Sequence, residues 1–354
     1  MTLDLDQDVV ALTAAVVDIE SVSGNEHTLA DQVEEALSRL DHLEVTRLGN
    51  NVIARTRMGL AERVVIAGHL DTVPVEGNLP SRQDATTMYG RGTCDMKGGV
   101  AVALRLARTV TAPVRDITYI FYEGEEIAAI HNGLRRIAAE RPDLVEADFA
   151  ILMEPSDGAV EAGCQGTLRV DVVVPGETAH AARSWRGVNA IHAAARVLGR
   201  LNEYDARRPI IDGLEYHEGL NAVLISGGTA TNVIPGECRV HVNFRFAPDR
   251  DEIEAEKFVR DFFEGFTVEV VDSAPGALPG LDRPAARAFI EAVGGEAKPK
   301  FGWTDVARFA AAGVPAVNYG PGDPMLAHKQ EESVPLAQLV DAEATLRTWL
   351  EARP

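Results

Sequence analysis

Apolar residues recur along the chain with two different periods. In the segment 27–40, Leu29, Val33, Ala36, Leu37 and Leu40 fall three and four residues apart, the spacing of a helix with one buried face. The next stretch, EVTRLGNNVIARTR, reads as two strands turning at Gly49–Asn51. RVVIAG (Arg63–Gly68), DITYIFY (Asp116–Tyr122) and DFAILM (Asp148–Met153) are short, rich in strand formers and apolar on both faces. Strands of that kind belong in a parallel or mixed sheet with helices on both sides. A fourth, GVPAVNYG (Gly313–Gly320), comes after an interruption of more than a hundred residues.

Within the interruption the pattern changes. TLRVDVVV alternates, GVNAIHAAARVLGRL is helical, LNAVLISGG and ECRVHVNFRF are strands, DEIEAEKFVRDFF is helical and TVEVVD is a strand. That order, β-α-β-β-α-β, predicts a ferredoxin-like two-layer domain. The expected fold is therefore α/β: a mixed central sheet covered by helices, formed by residues 1–166 and 280–354, with the ferredoxin-like domain inserted at 167–279. Both junctions, EAGCQGT and SAPGALPGLDRP, are rich in turn formers.

Polar residues gather where the predicted strands end. RVVIAG runs into His69 and Asp71, DITYIFY into Glu123, Glu125 and Glu126, DFAILM into Glu154, and GVPAVNYG into a Gly/Pro loop ending at His328. The loop GRGTCDMKGG adds Asp95 at the expected start of the helix KGGVAVALRLA. Each residue has an ordinary reading: Asp95 as an N-cap, the paired glutamates as first-turn charges of a helix, the histidines as hydrogen-bonded side chains, Glu154 as a surface turn residue. Open α/β sheets, however, build their sites at the carboxyl ends of strands, and all of these residues converge on that one rim.

Composition narrows the chemistry. A formal charge of -20 over 354 residues leaves no basic stripe for a nucleic-acid backbone. No apolar run approaches the ~20 residues of a membrane helix, and the acidic start MTLDLDQDVV is unlike a signal peptide, so a cytoplasmic protein is expected. Cys94, Cys164 and Cys238 are too scattered for a disulfide framework or a thiolate zinc site, and nothing near Cys94 reads as a base that would make it a nucleophile. Imidazoles and carboxylates without thiolate suit zinc, with cobalt or manganese as substitutes. Two histidines and three carboxylates exceed one four-coordinate ion but suit two ions about 3.5–4 Å apart with a bridging carboxylate. Such a pair acidifies a bound water, and a carboxylate outside the metal shell is then needed to carry the proton. Adjacent glutamates meet both needs, one as ligand and one as base.

The blocks GHLDTVP, GRGTCDMKGG, EGEEIA, MEP and AHKQEE resemble, in order and across nearly the whole chain, the ligand blocks of the M20 peptidase family of dinuclear zinc amidohydrolases. The resemblance implies a zinc-peptidase-like catalytic domain holding two Zn2+ per subunit, with the inserted domain serving as lid and homodimer contact. It implies one zinc on His69 and Glu154, the other on Glu126 and His328, and Asp95 bridging. Asp71 would orient His69, and Glu125 would be the general base and acid. PGETAHAARSWRGVNAIH is similar to the family's lid segment, which makes His180 an oxyanion donor in its own or the partner subunit.

Within the family, EEIAAIHNGL, EAGCQGTLRV, AHAARSW, FGWTDVARF and NYGPGDPMLAHK look most like the succinyl-diaminopimelate desuccinylases of actinobacteria. That likeness implies hydrolysis of the succinyl amide of N-succinyl-LL-2,6-diaminopimelate, a step of lysine and diaminopimelate biosynthesis. Its three carboxylates call for arginine, and Arg183, Arg245 and Arg308 are the candidates, with Asn232 and Thr304 as further contacts. Surface ion pairs are the plain alternative for each arginine. Arg183 also marks a departure, since other bacterial desuccinylases carry HVAYP where this chain has HAARS. The rival functions are a related deacylase or carboxypeptidase, such as an acetylornithine deacetylase, and a non-catalytic binding protein on the same scaffold.

Overall fold

The computed structural model describes residues 3–352. Their contacts gather into two compact units. One comprises the described residues up to Ala162, Pro279–Lys298 and those from Arg308 onward; the other comprises Gly163–Leu278 and Pro299–Ala307.

The first unit is built on an eight-stranded sheet: β1 (Glu44–Leu48), β2 (Asn51–Arg55), β3 (Arg63–His69), β4 (Asp116–Tyr122), β5 (Phe149–Leu152), β6 (Glu161–Ala162), β7 (Lys298–Pro299) and β8 (Ala316–Asn318). Their spatial order is β1-β2-β4-β3-β5-β8-β6-β7. β3 runs parallel to β4 and β5, and β8 parallel to β5, whereas β1, β2 and β6 pair antiparallel. The sheet is thus mixed, as the two-sided apolar runs require, and every residue of β4 and β5 is buried. The β1–β2 hairpin pairs Leu48 with Asn51, and Gly49 turns at φ +66°, a region glycine enters without steric cost.

Register decides what the rim receives. Ala67 lies opposite both Ile120 and Leu152, so the chain leaves β3, β4 and β5 at the same edge and nearly the same height. His69 and Glu154 each stand two residues beyond that level, and the glutamates of the 123–126 turn follow Tyr122.

The helix Lys97–Thr109 packs on this edge through glycines. A Cβ on Gly99 would come 2.2 Å from the Met153 carbonyl oxygen, and one on Gly98 would come 2.5 Å from the Thr93 carbonyl. Backbone meets backbone here, which holds the turn into Glu154 against the helix. The buried Lys97 ammonium donates to the Ile19 carbonyl at 2.6 Å, tying the same helix end to the N-terminal segment.

In the second unit, strands Gly166–Pro175, Gly219–Gly227, Glu237–Phe246 and Thr267–Ala274 form an antiparallel sheet in the spatial order second-third-first-fourth. Helices Ala190–Asn202 and Glu252–Phe262 complete the expected β-α-β-β-α-β order. Leu168, Val170, Val172 and Val174 meet Val240, Val242, Phe244 and Phe246 on the face that packs against Ala194, Val197 and Val259. The strict alternation read from the sequence is the signature of this one-sided burial. Asp251 caps the second helix through a reciprocal capping box with Glu254.

Gly99→Ala forces a methyl group into a carbonyl oxygen and should lower the free energy of unfolding by about 1–3 kcal/mol. Urea denaturation measures this, and an unchanged midpoint would show that the helix does not depend on the close approach.

Candidate metal centre

His69, the last residue of β3, is buried, and its Nδ1 lies 2.9 Å from the Asp71 carbonyl oxygen. That contact places a ring proton on Nδ1 and turns Nε2 toward Asp95. Nε2 lies 3.2 Å from Asp95 Oδ1. The other oxygen of the same carboxylate, Oδ2, is 3.3 Å from His328 Nε2, which in turn is 3.0 Å from Glu126 Oε1. Ligand atoms of His69, Asp95 and Glu126 all lie within 4.8 Å of one another. His328 reaches the group from a loop in which its own φ is +66°, a left-handed conformation that a non-glycine residue holds only where its surroundings impose it.

The spacing suits a transition metal. Four ligands at roughly 2.0–2.1 Å around a tetrahedral ion stand roughly 3.3 Å apart, which is the separation these nitrogens and oxygens already show. Asp95 directs one oxygen toward each histidine, the disposition of a carboxylate shared by two neighbouring ions. Glu154 is buried two residues past Leu152. A Cβ on Gly320 would come 2.5 Å from the Met153 carbonyl oxygen and 2.7 Å from that of Glu154, so the returning chain also braces this turn.

Concentrated negative charge sets the local acidities. Hydrogen bonds donated to the Asp95 and Glu126 carboxylates push the His328 imidazole up to about 10. Burial on its own would lower the His69 imidazole, but Asp71 and Asp95 hold it well above the ordinary value. Burial likewise works against the Asp95 carboxylate, and the two histidines overcome it, leaving its pKa far below the usual range. Protons on the imidazoles supply the positive charge that the carboxylates require.

Asp71 does more than the sequence suggested. Its carboxylate stands 3.5 Å from the His69 ring, while its closer partners are the Ser23 hydroxyl at 2.7 Å and the backbone N–H groups of Glu125 at 3.0 Å and Glu126 at 3.1 Å. One buried carboxylate therefore pins the turn that carries both glutamates. That turn is not the first turn of a helix: the next regular elements are a 3-10 turn at Ala129–His131 and the helix Gly133–Glu140. Asp95 is no N-cap either, since Met96 occupies that position without a side-chain bond. Of the three strand-end glutamates, Glu126 faces the cluster, whereas Glu123 bonds Asn51 in the hairpin at 3.0 Å. Ser23 was missed by the sequence reading, because a lone serine before a helix carries no signal of a partner 48 residues away.

His180, Arg183, Asn232, Arg245 and Thr304 belong to the second unit, and Arg308 to the first. His180 Nδ1 accepts from the Ala182 N–H at 3.1 Å, and the Ala181 N–H donates to the Asn232 carbonyl at 2.8 Å, so these two candidates share one corner. Arg183 lies in the exposed 3-10 turn Ala181–Arg186. Arg245 is cross-strand partner to Thr167. Burial and the nearby Arg169 hold its pKa below the ordinary arginine value, and no ion pair reaches it among the described residues. The buried hydroxyls of Thr167 and Thr304 have no hydrogen-bond partner there either.

Residues 65–352 match the model of Peptidase family M20/M25/M40. The chain is 48% identical over 359 residues to the succinyl-diaminopimelate desuccinylase of Corynebacterium glutamicum, covering 98% of this chain and 97% of that one. It is 53% identical over 351 residues, 98% and 99% of the two chains, to a Mycobacterium tuberculosis protein that provisionally bears the same name. Among solved structures, a tripeptidase of Staphylococcus aureus superposes with a TM-score of 0.79 at 22% identity over 99% of each chain, which establishes a common fold.

Asp71→Ala strands two turn amides and one hydroxyl, and should destabilise the protein by roughly 2–4 kcal/mol. Amide hydrogen exchange at Glu125 and Glu126 should accelerate in parallel. Asp71→Asn keeps one acceptor oxygen and should show a smaller effect; unchanged exchange in both variants would refute the clamp.

Proposed function

The chain belongs to peptidase family M20/M25/M40, and from that premise we propose that it hydrolyses the succinyl amide of N-succinyl-LL-2,6-diaminopimelate to succinate and LL-2,6-diaminopimelate. The activity is the one in the name of its Corynebacterium relative. The observation that carries the metal-dependent part is the Asp95 carboxylate, one oxygen turned to His69 and the other to His328. In this reading His69 and Glu154 would hold one ion, Glu126 and His328 the other, and Asp95 would bridge. Zinc is the ion this donor set favours, with Co2+ or Mn2+ as substitutes. When bound, the pair supplies Lewis acidity to the amide carbonyl and acidifies water.

Glu125 is the proton carrier. Anchored through its amide on Asp71, it stands next to Glu126, whose oxygen is committed to the cluster. Its carboxylate takes the proton of the attacking water and returns it to the departing amine nitrogen. His180 accepts a backbone proton at Nδ1, so a neutral ring carries its own proton at Nε2, ready to donate to the developing oxyanion. Arg245, desolvated and without an ion-pair partner among the described residues, together with the unsatisfied Thr304 hydroxyl, suits a substrate carboxylate. Arg183, Asn232 and Arg308 are the further contacts.

The second unit also suits dimerisation, with His180 serving its own or the partner's site. Its edge strand Gly219–Gly227 exposes Val223, Leu224 and Ile225, with Ile191 and Leu198 exposed on the helix Ala190–Asn202. Three buried, unpaired cysteines fit a reducing compartment, consistent with the cytoplasm, and no helix among the described residues is long and apolar enough to cross a membrane.

Purified protein should release succinate from N-succinyl-LL-2,6-diaminopimelate in the presence of zinc, and much more slowly after chelation. Faster turnover of acetyl amides such as N-acetylornithine would transfer the assignment to a deacetylase, and no metal-dependent hydrolysis of either would favour a binding protein. Glu125→Gln should cut kcat by about 10^2–10^4-fold with metal content unchanged, whereas Glu126→Gln should lose bound metal. Near-normal turnover by Glu125→Gln would remove it from the role of base.

A further inference from the structure

Two of the proposed metal donors sit on loops that leave a small three-stranded sheet side by side. Strand Thr87–Tyr89 pairs antiparallel with Ser333–Pro335, matching Tyr89 to Ser333. The Gly90 N–H extends that ladder by donating to the Glu332 carbonyl at 3.0 Å. From this point one loop runs forward to Asp95, and the other runs backward to His328.

Each loop sends one charged side chain into the other. Arg91, on the Asp95 loop, donates from Nη1 to the Lys329 carbonyl at 3.2 Å, one residue from His328, and from Nε to the Pro74 carbonyl at 3.1 Å. Glu332, on the His328 loop, accepts at Oε1 from the backbone N–H groups of Cys94 at 3.0 Å and Asp95 at 3.1 Å. The two side chains meet as an ion pair, Arg91 Nη1 to Glu332 Oε2 at 2.9 Å, and each residue is only 1% exposed. We propose that Arg91 and Glu332 are positioning residues of the metal centre, a reciprocal brace that sets the separation of Asp95 from His328.

The inference rests on the metal-centre reading above. Stability does not by itself account for the pair, because well-packed apolar residues of similar volume stabilise an interior as well as or better than a buried ion pair. What an apolar pair lacks is an acceptor for the Cys94 and Asp95 amides and a donor for the carbonyl beside His328. A donor in a left-handed backbone conformation, as His328 is, depends on such external bonds to keep its place. Groups that hold ligands in this way typically change metal affinity by about 10–100-fold when removed.

The test is metal binding by the metal-free protein, read by competition with a chromophoric chelator, by the visible absorption of bound cobalt(II), and by thermal unfolding without metal. In the wild type these measurements stand alone: if it takes up no transition metal, the metal-centre reading fails before any variant is made. Glu332→Gln keeps an acceptor oxygen but loses the charge, and should bind at least one ion about 10-fold or more weakly with an altered cobalt spectrum, measured well below its melting temperature. Arg91→Leu/Glu332→Leu removes both charges; it should melt higher than Glu332→Leu yet remain weak in metal binding. A Glu332→Gln protein that melts lower but binds metal with wild-type affinity and spectrum would reduce the pair to a structural role. Wild-type affinity in the double variant would overturn the brace in favour of simple charge compensation.

Discussion

Asp95 lies between two imidazoles, one oxygen toward each, and nearly everything around it in the first unit serves to keep it there. Carboxylates and imidazoles at hydrogen-bonding distance, all but His328 largely out of water, are stable only with positive charge among them. The raised pKa values of His69 and His328 express that demand in protons. Metal ions meet it with greater charge density, and the donor spacing already matches a tetrahedral shell. Affinity for metal and the cost of assembling the donors are thus two views of the same electrostatics.

Holding such a group together requires backbone precision rather than more charge. Parallel β3, β4 and β5 bring His69, the Glu125–Glu126 turn and Glu154 to one rim at matched height. Gly99 and Gly320 let main chain approach main chain around Met153. Asp71 pins the turn amides, and Glu332 pins the Asp95 amide. Two buried carboxylates outside the cluster therefore act on backbone N–H groups. Amide hydrogen bonds constrain direction as well as distance, which suits a turn that presents Glu126 to the cluster.

Much of this was legible in the sequence because it is written in periods. Two-sided apolar runs announced the central sheet, strict alternation announced the one-sided second sheet, and the order of elements gave its topology. The convergence of His69, Asp95, Glu126 and His328 followed from the rule that ligands gather at strand ends. Less legible were roles that depend on backbone. Asp71 looked like a partner for an imidazole, and only its position against the 125–126 amides reveals the clamp. Arg91 and Glu332 lie inside GRGTCDMKGG and AHKQEE, blocks that were read for their ligands. Charges in glycine-rich loops ordinarily face solvent, and nothing in their spacing, 241 residues apart, foretold a buried pair. The helical first-turn reading of Glu125 and Glu126 failed for a related reason: acidic residues after a strand suit a helix start, but here a buried acceptor captures their amides first.

Anomalous diffraction at the zinc edge from crystals of the zinc-loaded protein tests the central claim most directly. The account predicts two peaks about 3.5–4 Å apart, with one Asp95 oxygen on each, His69 and Glu154 at one ion and Glu126 and His328 at the other. A single fully occupied peak, or a pair that Asp95 does not bridge, would contradict it.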